Sequence, residues 1–278
     1  MTIFQSIVLG IVQGLTEFLP VSSSGHLVIA QKLFELEASG SVMFDVALHA
    51  GTLVAVVIYF RRELMDMITS LFPVVSHSAR DPIRNSRRLI LGLFLATLPV
   101  GLGGFFLKDF VKSVFESSHR HLWTGLFLCV TGCMLFLGEW ISRKYSTAIS
   151  PVEKSQFFRW IGVGFAQLIA LLPGVSRSGA TISAGLMMGW SRTSAAQFSF
   201  LMMIPAVTGA VVSEIPELIS EGTSLQSMML PTIIGTIVAG VSGYAAIHIL
   251  LKYIKHRTLF PFGAYCFFIG LLILLLSI

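Results

Sequence analysis

The chain has 278 residues, of which 54% are hydrophobic and only 12% are charged, and its mean hydropathy is +0.82. This composition excludes an ordinary soluble domain and predicts a helical protein that crosses a membrane several times, because the apolar runs are continuous and do not alternate as in a barrel. The net charge of +5 is concentrated in the loops, so it indicates membrane orientation and not nucleic-acid binding.

The first predicted element is a broken one. Residues 1–36 are apolar but interrupted by Pro, Gly and Ser, and a second segment of this kind covers 157–190. Each predicts a re-entrant pair of half-helices and not a single span. The N-terminus lacks a basic region and a small-residue cleavage site, so we expect mature structure there and not a signal peptide. Six other apolar runs are long enough to span: 42–60, 89–107, 122–141, 196–215, 228–250 and 259–277.

Charged residues in the loops orient these spans. Loop 215–227 carries Glu217 and Glu221 and no Arg or Lys. The positive-inside rule therefore places this loop outside and the Arg- and Lys-rich loops in the cytoplasm. Alternation then places the mixed loop 108–121 and the C-terminus outside. The basic loops are 61–88, 142–159 and 251–257.

The two halves of the chain are related by a shift of 154 residues. This shift superposes Gln13 on Gln167, Ser22 on Ser176, Ser24 on Ser178, Gly25 on Gly179 and Phe44 on Phe198. A weaker shift of 139 pairs Thr97 with Thr236, Gly101 with Gly240 and Gly104 with Gly243. Equivalent spans run in opposite directions, which predicts an inverted-topology repeat in one polytopic membrane domain, 1–278. The first repeat covers 1–141 and the second covers 157–278.

This arrangement predicts where a functional site lies. One broken segment enters from outside and the other from inside, so their tips are expected to meet near the middle of the membrane. Half-helix N-termini at such a point present unpaired N–H groups and the positive end of a dipole, which together favour an anion. The polar residues of the two tips are therefore the candidates for function.

The first tip carries an acid, a hydroxyl and an imidazole. Gln13 and Glu17 are four residues apart and share a helix face. An acid within the membrane indicates a functional residue, and the alternative is that Glu17 lies at a helix end and extends to the membrane interface. Pro20 and the serines after it break the helix. Ser23 and His26 can touch if a helix begins near Ser23, which makes the hydroxyl–imidazole unit of an activated nucleophile. The alternative is that the serines are helix caps and His26 is a hydrogen-bonded polar residue.

The second tip centres on an arginine. A charged residue deep in a membrane costs about 2.5–3.5 kcal/mol on insertion scales, and the planar guanidinium suits bidentate oxyanion binding, so Arg177 predicts an anion receptor. The 154-residue shift places Leu171 and Ala180 where the first half has Glu17 and His26. Because the acid and the imidazole occur in one half alone, the asymmetry favours chemistry. The hydroxyls beside the arginine are Ser176, Ser178 and Thr181.

Other polar residues receive simpler interpretations. Asp45 and His49 are four residues apart near the start of a span. They either support the residues of the site from behind or, in the interpretation that we favour, Asp45 stabilises the dipole at the start of its helix. Arg192 either guides phosphate or anchors a span at the interface. The further residues expected as interface anchors are Glu139, Trp140, His248 and Lys252. The cysteines expected to be small buried hydrophobes, with no disulfide framework, are Cys129, Cys133 and Cys266.

The motifs at the two tips resemble those of undecaprenyl-diphosphate phosphatases, the integral membrane phosphatases of the bacitracin-resistance type. Gln13 to Glu17 matches Glu/Gln-x-x-x-Glu, Pro20 to His26 matches Pro-x-Ser-Ser-x-Gly-His, and Pro173 to Thr181 matches Pro-Gly-x-Ser-Arg-Ser-x-x-Thr. The resemblance covers nearly the whole chain. It implies hydrolysis of a C55 polyprenyl diphosphate to the monophosphate carrier that is reused in cell-wall synthesis. It also implies the bacterial cytoplasmic membrane, a divalent cation and a site that opens to the extracytoplasmic side.

The resemblance leaves two mechanisms open. Either Ser23 attacks the terminal phosphorus with His26 as base, or Glu17 or His26 activates a water. In both, Arg177 is catalytic, and Glu17 with Gln13 holds Mg²⁺ or Ca²⁺, although an amide at position 13 weakens that set. The residues expected to bind the substrate phosphates are Ser22, Ser176, Arg177, Ser178 and Thr181.

A transporter or flippase for an anionic lipid or a phosphate-containing solute is the rival interpretation, because inverted repeats with broken helices are typical of transporters. The one-sided cluster of Glu17, Ser23 and His26 argues against it. The expected partners are the lipid substrate and the bilayer. The sequence leaves open the oligomeric state, a homo-oligomer included, as well as the lipid chain length and any flipping of the product.

Overall fold

A computed structural model describes residues 1–36, 41–72, 80–115, 117, 119–145, 149–153, 156–220 and 225–276. Glu221, used above to orient a loop, lies outside these residues, as does Lys154 of the basic loop 142–159. Within the described residues the chain is all-helical, as predicted, and an isolated bridge between Ile149 and Trp190 is the one β-type pairing. The helices are α1 (Ile3–Phe18), α2 (Ser23–Leu33), α3 (Ser41–Tyr59), α4 (Arg61–Ser70), α5 (Arg80–Phe106), α6 (Lys108–Phe115), α7 (Arg120–Tyr145), α8 (Phe157–Ile169), α9 (Arg177–Met187), α10 (Arg192–Ser220), α11 (Leu225–Ile254) and α12 (Phe260–Leu276).

Several of these helices are long and apolar enough to cross a membrane. Four meet that description, namely those that contain Arg84–Phe106, Arg120–Tyr145, Arg192–Ser213 and Met229–Ile254. A fifth candidate is the pair α3 and α4, which bends by 72°. The remaining predicted span, α12, has 17 residues, at the lower end of the length that a bilayer requires. The fold is therefore that of a multi-pass helical membrane protein.

Both predicted helix breaks are present. The chain leaves α1 after Phe18 and begins α2 at Ser23; it leaves α8 after Ile169 and begins α9 at Arg177. Each new half-helix starts with a serine cap that satisfies an amide of the first turn. The break residues are Leu19–Ser22 and Ala170–Ser176.

The two caps are equivalent in the 154-residue repeat. The Ser22 Oγ accepts from the Gly25 amide at 3.3 Å, and the Ser176 Oγ accepts from the Gly179 amide at 3.0 Å. They differ in backbone conformation, because Ser22 has a φ of 72° whereas Ser176 is extended. A left-handed serine is strained, and such strain tends to be kept at functional sites.

Close contacts at glycine hold the bundle together. A Cβ added to Gly10 of α1 would lie 2.6 Å from the Gly235 carbonyl of α11, and one added to Gly164 of α8 would lie 2.5 Å from the Ala96 carbonyl of α5. Small residues let helices approach closely where lipid provides no hydrophobic driving force. Between α7 and α12 the close pairs are Gly125 with Gly270 and Gly132 with Gly263.

Helix ends that adjoin the predicted cytoplasmic loops contact one another. Arg87 at the start of α5 donates to the backbone at the end of α4 at 2.6 Å, and Arg88 donates to the Val152 carbonyl at 3.3 Å. Arg143 at the end of α7 lies over the ring of Phe260 at the start of α12, 4.7 Å from its centroid. The three basic loops therefore adjoin one end of the bundle.

The structure corrects the prediction that Glu139 is an interface anchor. Its side chain is completely buried, and it is ion-paired with Arg192, whose Nε donates at 2.9 Å. Its other carboxylate oxygen accepts from the Leu259 amide at 3.1 Å. The pair ties α7 to the starts of α10 and α12. Arg192 is 30% exposed at a helix start, as expected of a positive-inside anchor, and its role in guiding phosphate stays a prediction. His248 and Lys252 are exposed, as expected of interface residues.

The cysteines only partly match their prediction. Cys266 is buried, but Cys129 is half-buried and Cys133 is exposed on α7. All three are free thiols. The error arises because a cysteine in an apolar span faces lipid as readily as it faces the protein core.

Candidate active site

Glu17 is the centre of the candidate site. It lies near the end of α1 and is 6% exposed. Its Oε1 accepts from the Arg177 Nη2 at 3.0 Å, and its Oε2 accepts from the Ser23 Oγ at 2.7 Å. The side chain of Arg177 comes from the other broken segment. The predicted meeting of the two tips is therefore confirmed, and the Glu17 carboxylate is one of the groups that join them.

Arg177 is the first residue of α9 and is held on two sides. Besides the bond to Glu17, its Nη1 donates to the Ser199 carbonyl of α10 at 3.0 Å. The guanidinium has five N–H donors in a rigid plane, so these two contacts fix its orientation and leave donors for an oxyanion. Its side chain is 15% exposed, which leaves access to the site.

The structure corrects the predicted pairing of Ser23 with His26. Helix α2 does begin at Ser23, but the Ser23 hydroxyl donates to Glu17. The His26 Nδ1 bonds the Ser22 carbonyl at 2.8 Å, and the His26 Nε2 bonds the Tyr265 hydroxyl at 2.7 Å. Because a carbonyl only accepts, the Nδ1 carries the proton, and the Nε2 of the neutral ring accepts from the tyrosine. Both ring nitrogens are thus engaged away from Ser23.

Four hydroxyls predicted to bind phosphate have other partners. Ser22 and Ser176 cap α2 and α9, as described above. The Ser178 Oγ donates to the Leu19 carbonyl at 3.2 Å, and the Thr181 Oγ1 bonds the Ser199 Oγ at 2.6 Å. Each of the four is no more than 2% exposed. In the structure these hydroxyls shape and join the two breaks, and their binding to phosphate stays a prediction. Arg177, with its side chain 15% exposed, is the most exposed member of that set.

Backbone amides provide further anion donors. The first turn of a helix has amides with no intrahelical acceptor. In α2 the Ser22 side chain and carbonyl accept from Gly25 and His26. The amides of Ser23 and Ser24 have no acceptor within the described part of the chain. They adjoin the Ser23 hydroxyl, at a position where helix N-termini commonly bind phosphate.

A second imidazole lies at the site. The His49 Nδ1 of α3 donates to the Asp45 carbonyl at 2.8 Å, and its Nε2 lies 3.7 Å from the Glu17 Oε2. The favoured reading of Asp45 as a helix-start acid is wrong, because the first turn of α3 contains no acid and the Asp45 Oδ1 accepts from Gln31 at 2.8 Å. The alternative interpretation, in which Asp45 and His49 support the site from behind, agrees better with the structure, but His49 lies next to Glu17 itself.

The residues present could provide part of the ligand set of a divalent cation. The Gln13 Nε2 donates to the Glu17 Oε2 at 3.0 Å, while the Gln13 Oε1 is buried with no partner. Carboxylate and amide oxygens are ligands that Mg²⁺ and Ca²⁺ accept, and Mg²⁺ is usually held by one or two protein groups together with substrate phosphates. Among the described residues no three His, Cys, Asp or Glu side chains form a closed metal site. The set would therefore be completed by substrate oxygens.

Some site residues had no signal in the sequence. Tyr265 is the one tyrosine of α12, a span that also contains several phenylalanines, and its stacking on His26, 5.6 Å between ring centroids, depends on the packing of α12 near α2. Thr131 of α7 accepts from the Ser176 amide at 2.9 Å and donates to the Gly174 carbonyl at 3.3 Å. Ser199 has one signal: the 154-residue shift pairs it with Asp45.

The fold and site together define a class: a multi-pass helical membrane protein whose two broken helices bring a hydroxyl, a carboxylate and a guanidinium into contact. The family described as bacitracin resistance protein BacA matches residues 6–272. The chain belongs to this family.

Relatives of similar length accompany this match. An undecaprenyl-diphosphatase of Rubrobacter xylanophilus is 40% identical and covers 98% of this chain and 97% of its own. One from Methanobrevibacter smithii is 39% identical, with 100% of this chain and 99% of its own covered. One from Carboxydothermus hydrogenoformans is 38% identical and covers 100% of this chain and 98% of its own.

Proposed function

We propose that the protein is an undecaprenyl-diphosphatase, which hydrolyses undecaprenyl diphosphate to undecaprenyl phosphate and inorganic phosphate. The observation that carries the proposal is the bridge at Glu17, whose two oxygens bind the Ser23 hydroxyl and the Arg177 guanidinium at 2.7 and 3.0 Å. Phosphoryl transfer depends on positioning and charge neutralisation, and this bridge places a nucleophile beside a phosphate-binding cation. The names of the relatives agree with it.

The geometry supports Ser23 as the nucleophile. The Ser23 Oγ attacks the terminal phosphorus, the bond from that phosphorus to the bridging oxygen breaks, and undecaprenyl phosphate leaves. The hydroxyl proton passes along the existing hydrogen bond to the Glu17 Oε2. Water then attacks the phosphoserine, inorganic phosphate leaves, and the Ser23 Oγ takes a proton again. Glu17 therefore replaces His26 as the proton acceptor in this proposal.

The other groups bind and position the substrate. Arg177 and the amides of Ser23 and Ser24 bind the oxygens of the transferred phosphate. His26, tied to Tyr265, holds the start of α2 in place. A divalent cation, bound by Glu17 and Gln13, would neutralise charge on the diphosphate.

We also propose the finer topology: six spans and two re-entrant pairs in an inverted repeat. Contacts between the halves support it. The contact of Gly10 with Gly235 has its equivalent, after the shifts of 154 and 139, in the contact of Gly164 with Ala96. The two close glycine pairs between α7 and α12 are related in the same way. A single shift takes Gly125 to Gly263 and Gly132 to Gly270, so the pair of Gly125 with Gly270 becomes the pair of Gly263 with Gly132. Such reciprocal contacts are what a two-fold axis within the membrane plane produces.

The cellular setting follows from the same proposal. The protein would lie in the bacterial cytoplasmic membrane and act on lipid whose diphosphate faces outside, so the site would open to the extracytoplasmic side. Recycling the carrier for cell-wall synthesis would confer bacitracin resistance. The contacts that gather the three basic loops at one end of the bundle support the orientation.

Phosphate release by detergent-purified protein tests the activity directly. The wild type should release phosphate from undecaprenyl diphosphate, whereas a transporter leaves no product in micelles. Ser23→Ala should reduce turnover by about 10³-fold or more, because the nucleophile is lost. Acid quenching of the wild type should trap phosphate on Ser23. A Ser23→Ala protein with full activity would eliminate the covalent mechanism and leave attack by water.

A further inference from the structure

We propose that His49 is a third protein ligand of the divalent cation at this site, so that the ion is bound by an imidazole nitrogen as well as by the oxygens of Glu17 and Gln13. The proposal rests on the cation requirement in the proposed function and adds a residue that no motif of the tips contains. His49 lies on α3, a helix outside both breaks.

The orientation of the His49 ring is the first argument. Its Nδ1 bonds the Asp45 carbonyl, which only accepts, so the Nδ1 carries the proton. In the tautomer that has its proton on Nδ1 alone, the Nε2 directs a lone pair to the side where Glu17 lies. Metal-binding histidines almost always have this arrangement, in which the other ring nitrogen donates to a carbonyl or carboxylate and so fixes the tautomer.

The distance between His49 and Glu17 is the second argument. The 3.7 Å from Nε2 to Oε2 exceeds the 2.7–2.9 Å that is typical of a charge-assisted hydrogen bond, so the contact between the two groups is electrostatic and not a hydrogen bond. Two ligand atoms that each lie about 2.0–2.2 Å from one ion are separated by up to about 4.4 Å. The observed separation falls within this limit, as expected for two ligands of the same ion.

The buried amide of Gln13 is the third and independent argument. Gln13 is completely buried, and its Oε1 has no partner, which is costly for a polar atom. Its Nε2 points at the same Glu17 oxygen that faces His49. Rotation of the amide by half a turn exchanges these two atoms and turns the oxygen towards an ion held by Glu17 and His49.

His26 provides the contrast within the same site. Its Nδ1 also bonds a carbonyl, but its Nε2 is already occupied by the Tyr265 hydroxyl. The His49 Nε2 has no hydrogen bond among the described residues. Of the two imidazoles, His49 is therefore the one with a nitrogen available to an ion.

A nitrogen ligand changes the expected metal preference. Ca²⁺ takes oxygen ligands, whereas imidazole favours first-row transition ions. We therefore expect the protein to bind Mn²⁺ more tightly than Ca²⁺ when the two compete. Loss of the imidazole should remove most of that difference.

Pulsed electron paramagnetic resonance with Mn²⁺ alone tests the proposal on the detergent-purified full chain. The wild type should show ¹⁴N coupling from a directly bound imidazole. His49→Gln should lose that coupling, and His49→Leu should weaken Mn²⁺ binding at least about 10-fold. The matched control, His26→Gln, should retain the coupling. A wild type that binds no Mn²⁺ or shows no ¹⁴N coupling would overturn the proposal, as would coupling that persists in His49→Gln.

The readout separates this proposal from the proposed function, because it uses no substrate. Phosphate release by the wild type is measured in parallel. Hydrolysis without ¹⁴N coupling would overturn the role of His49 alone. Coupling without hydrolysis would support the ligand and contradict the phosphatase. Circular dichroism of each variant shows whether weaker binding reflects unfolding.

Discussion

Individual side chains at this site are shared between the two halves of the protein. Glu17 bonds Ser23 from its own half and Arg177 from the other, so neither half alone holds the arrangement. Burial makes each bond matter more, because an unpaired carboxylate or guanidinium away from water is costly. The site and the packing of the two breaks are therefore expected to form together.

Arg177→Lys should reduce turnover by about 10²-fold or more, typical of removing a donor that acts in the transition state. The two terminal nitrogens of Arg177 reach Ser199 and Glu17 at the same time, and one ammonium group does not replace that fork. Phosphate release at saturating substrate measures the effect. Arg62→Lys, at an exposed position on α4, is the matched control and should retain the wild-type rate. Wild-type turnover in Arg177→Lys would exclude Arg177 as the phosphate clamp.

Outside the candidate site, helices in the described part of this bundle are held by backbone contacts and by the buried ion pair of Glu139 with Arg192. At the glycine positions a helix touches the carbonyls of its neighbour, so the contact tolerates no added atoms. At Glu139 the contact is electrostatic and joins three helices. The two kinds of contact respond differently to substitution.

Gly14→Ala should lower the free energy of unfolding by about 1–3 kcal/mol, because the new Cβ would overpack the contact of α1 with α11. It would lie 2.0 Å from the Ser242 Oγ and 2.5 Å from the Ala239 carbonyl. Thermal unfolding in detergent measures the change. Gly104→Ala is the control, since nothing lies within 4 Å of its added Cβ. Equal unfolding temperatures for the two variants would contradict the packing argument.

Removing one partner of the pair between Glu139 and Arg192 should destabilise the protein more than removing both. Arg192→Met leaves a buried carboxylate without its main partner, at a cost of about 3–5 kcal/mol. Combining it with Glu139→Leu should recover part of that loss, since no buried charge remains. Unfolding temperatures of the two single variants and the double variant provide the comparison. A double variant less stable than both single ones would show that the pair does not act as proposed.

At the scale of the whole molecule, the proposed repeat is asymmetric at the candidate site. Each half contributes a broken segment with a serine cap, yet the acid and the imidazoles belong to the first half and the arginine to the second. In the proposed repeat, the two breaks would be equivalent parts of the scaffold, and the polar residues of the site would be where the two halves differ.

Topology is testable by cysteine labelling of intact cells. In a chain without native cysteines, Ser113→Cys should react with a membrane-impermeant maleimide, because loop 108–121 is predicted outside. Lys255→Cys should react only after the cells are permeabilised, because its loop is predicted inside. Both positions are exposed in the structure. The opposite pattern would invert the proposed orientation.

The sequence was sufficient for features that depend on local composition. Apolar runs, Pro and Gly breaks and serine caps act over a few residues, so the helices, both breaks and the roles of Glu17 and Arg177 as neighbours were predictable. The predicted spacing of Ser23 and His26 was right as well, but spacing on a helix does not choose a partner for each side chain.

Most of those choices were made by helices distant in the chain, although the partner of Ser23 is only six residues away. The Ser23 hydroxyl turns to Glu17, His26 to Tyr265 and Glu139 to Arg192, and His49 enters the site from α3. A polar side chain in a low-dielectric interior takes whichever partner the packing brings within about 3 Å. Which partner that is depends on how α3, α10 and α12 pack around the two breaks. The pattern of residues along the chain does not determine the distances between side chains of different helices.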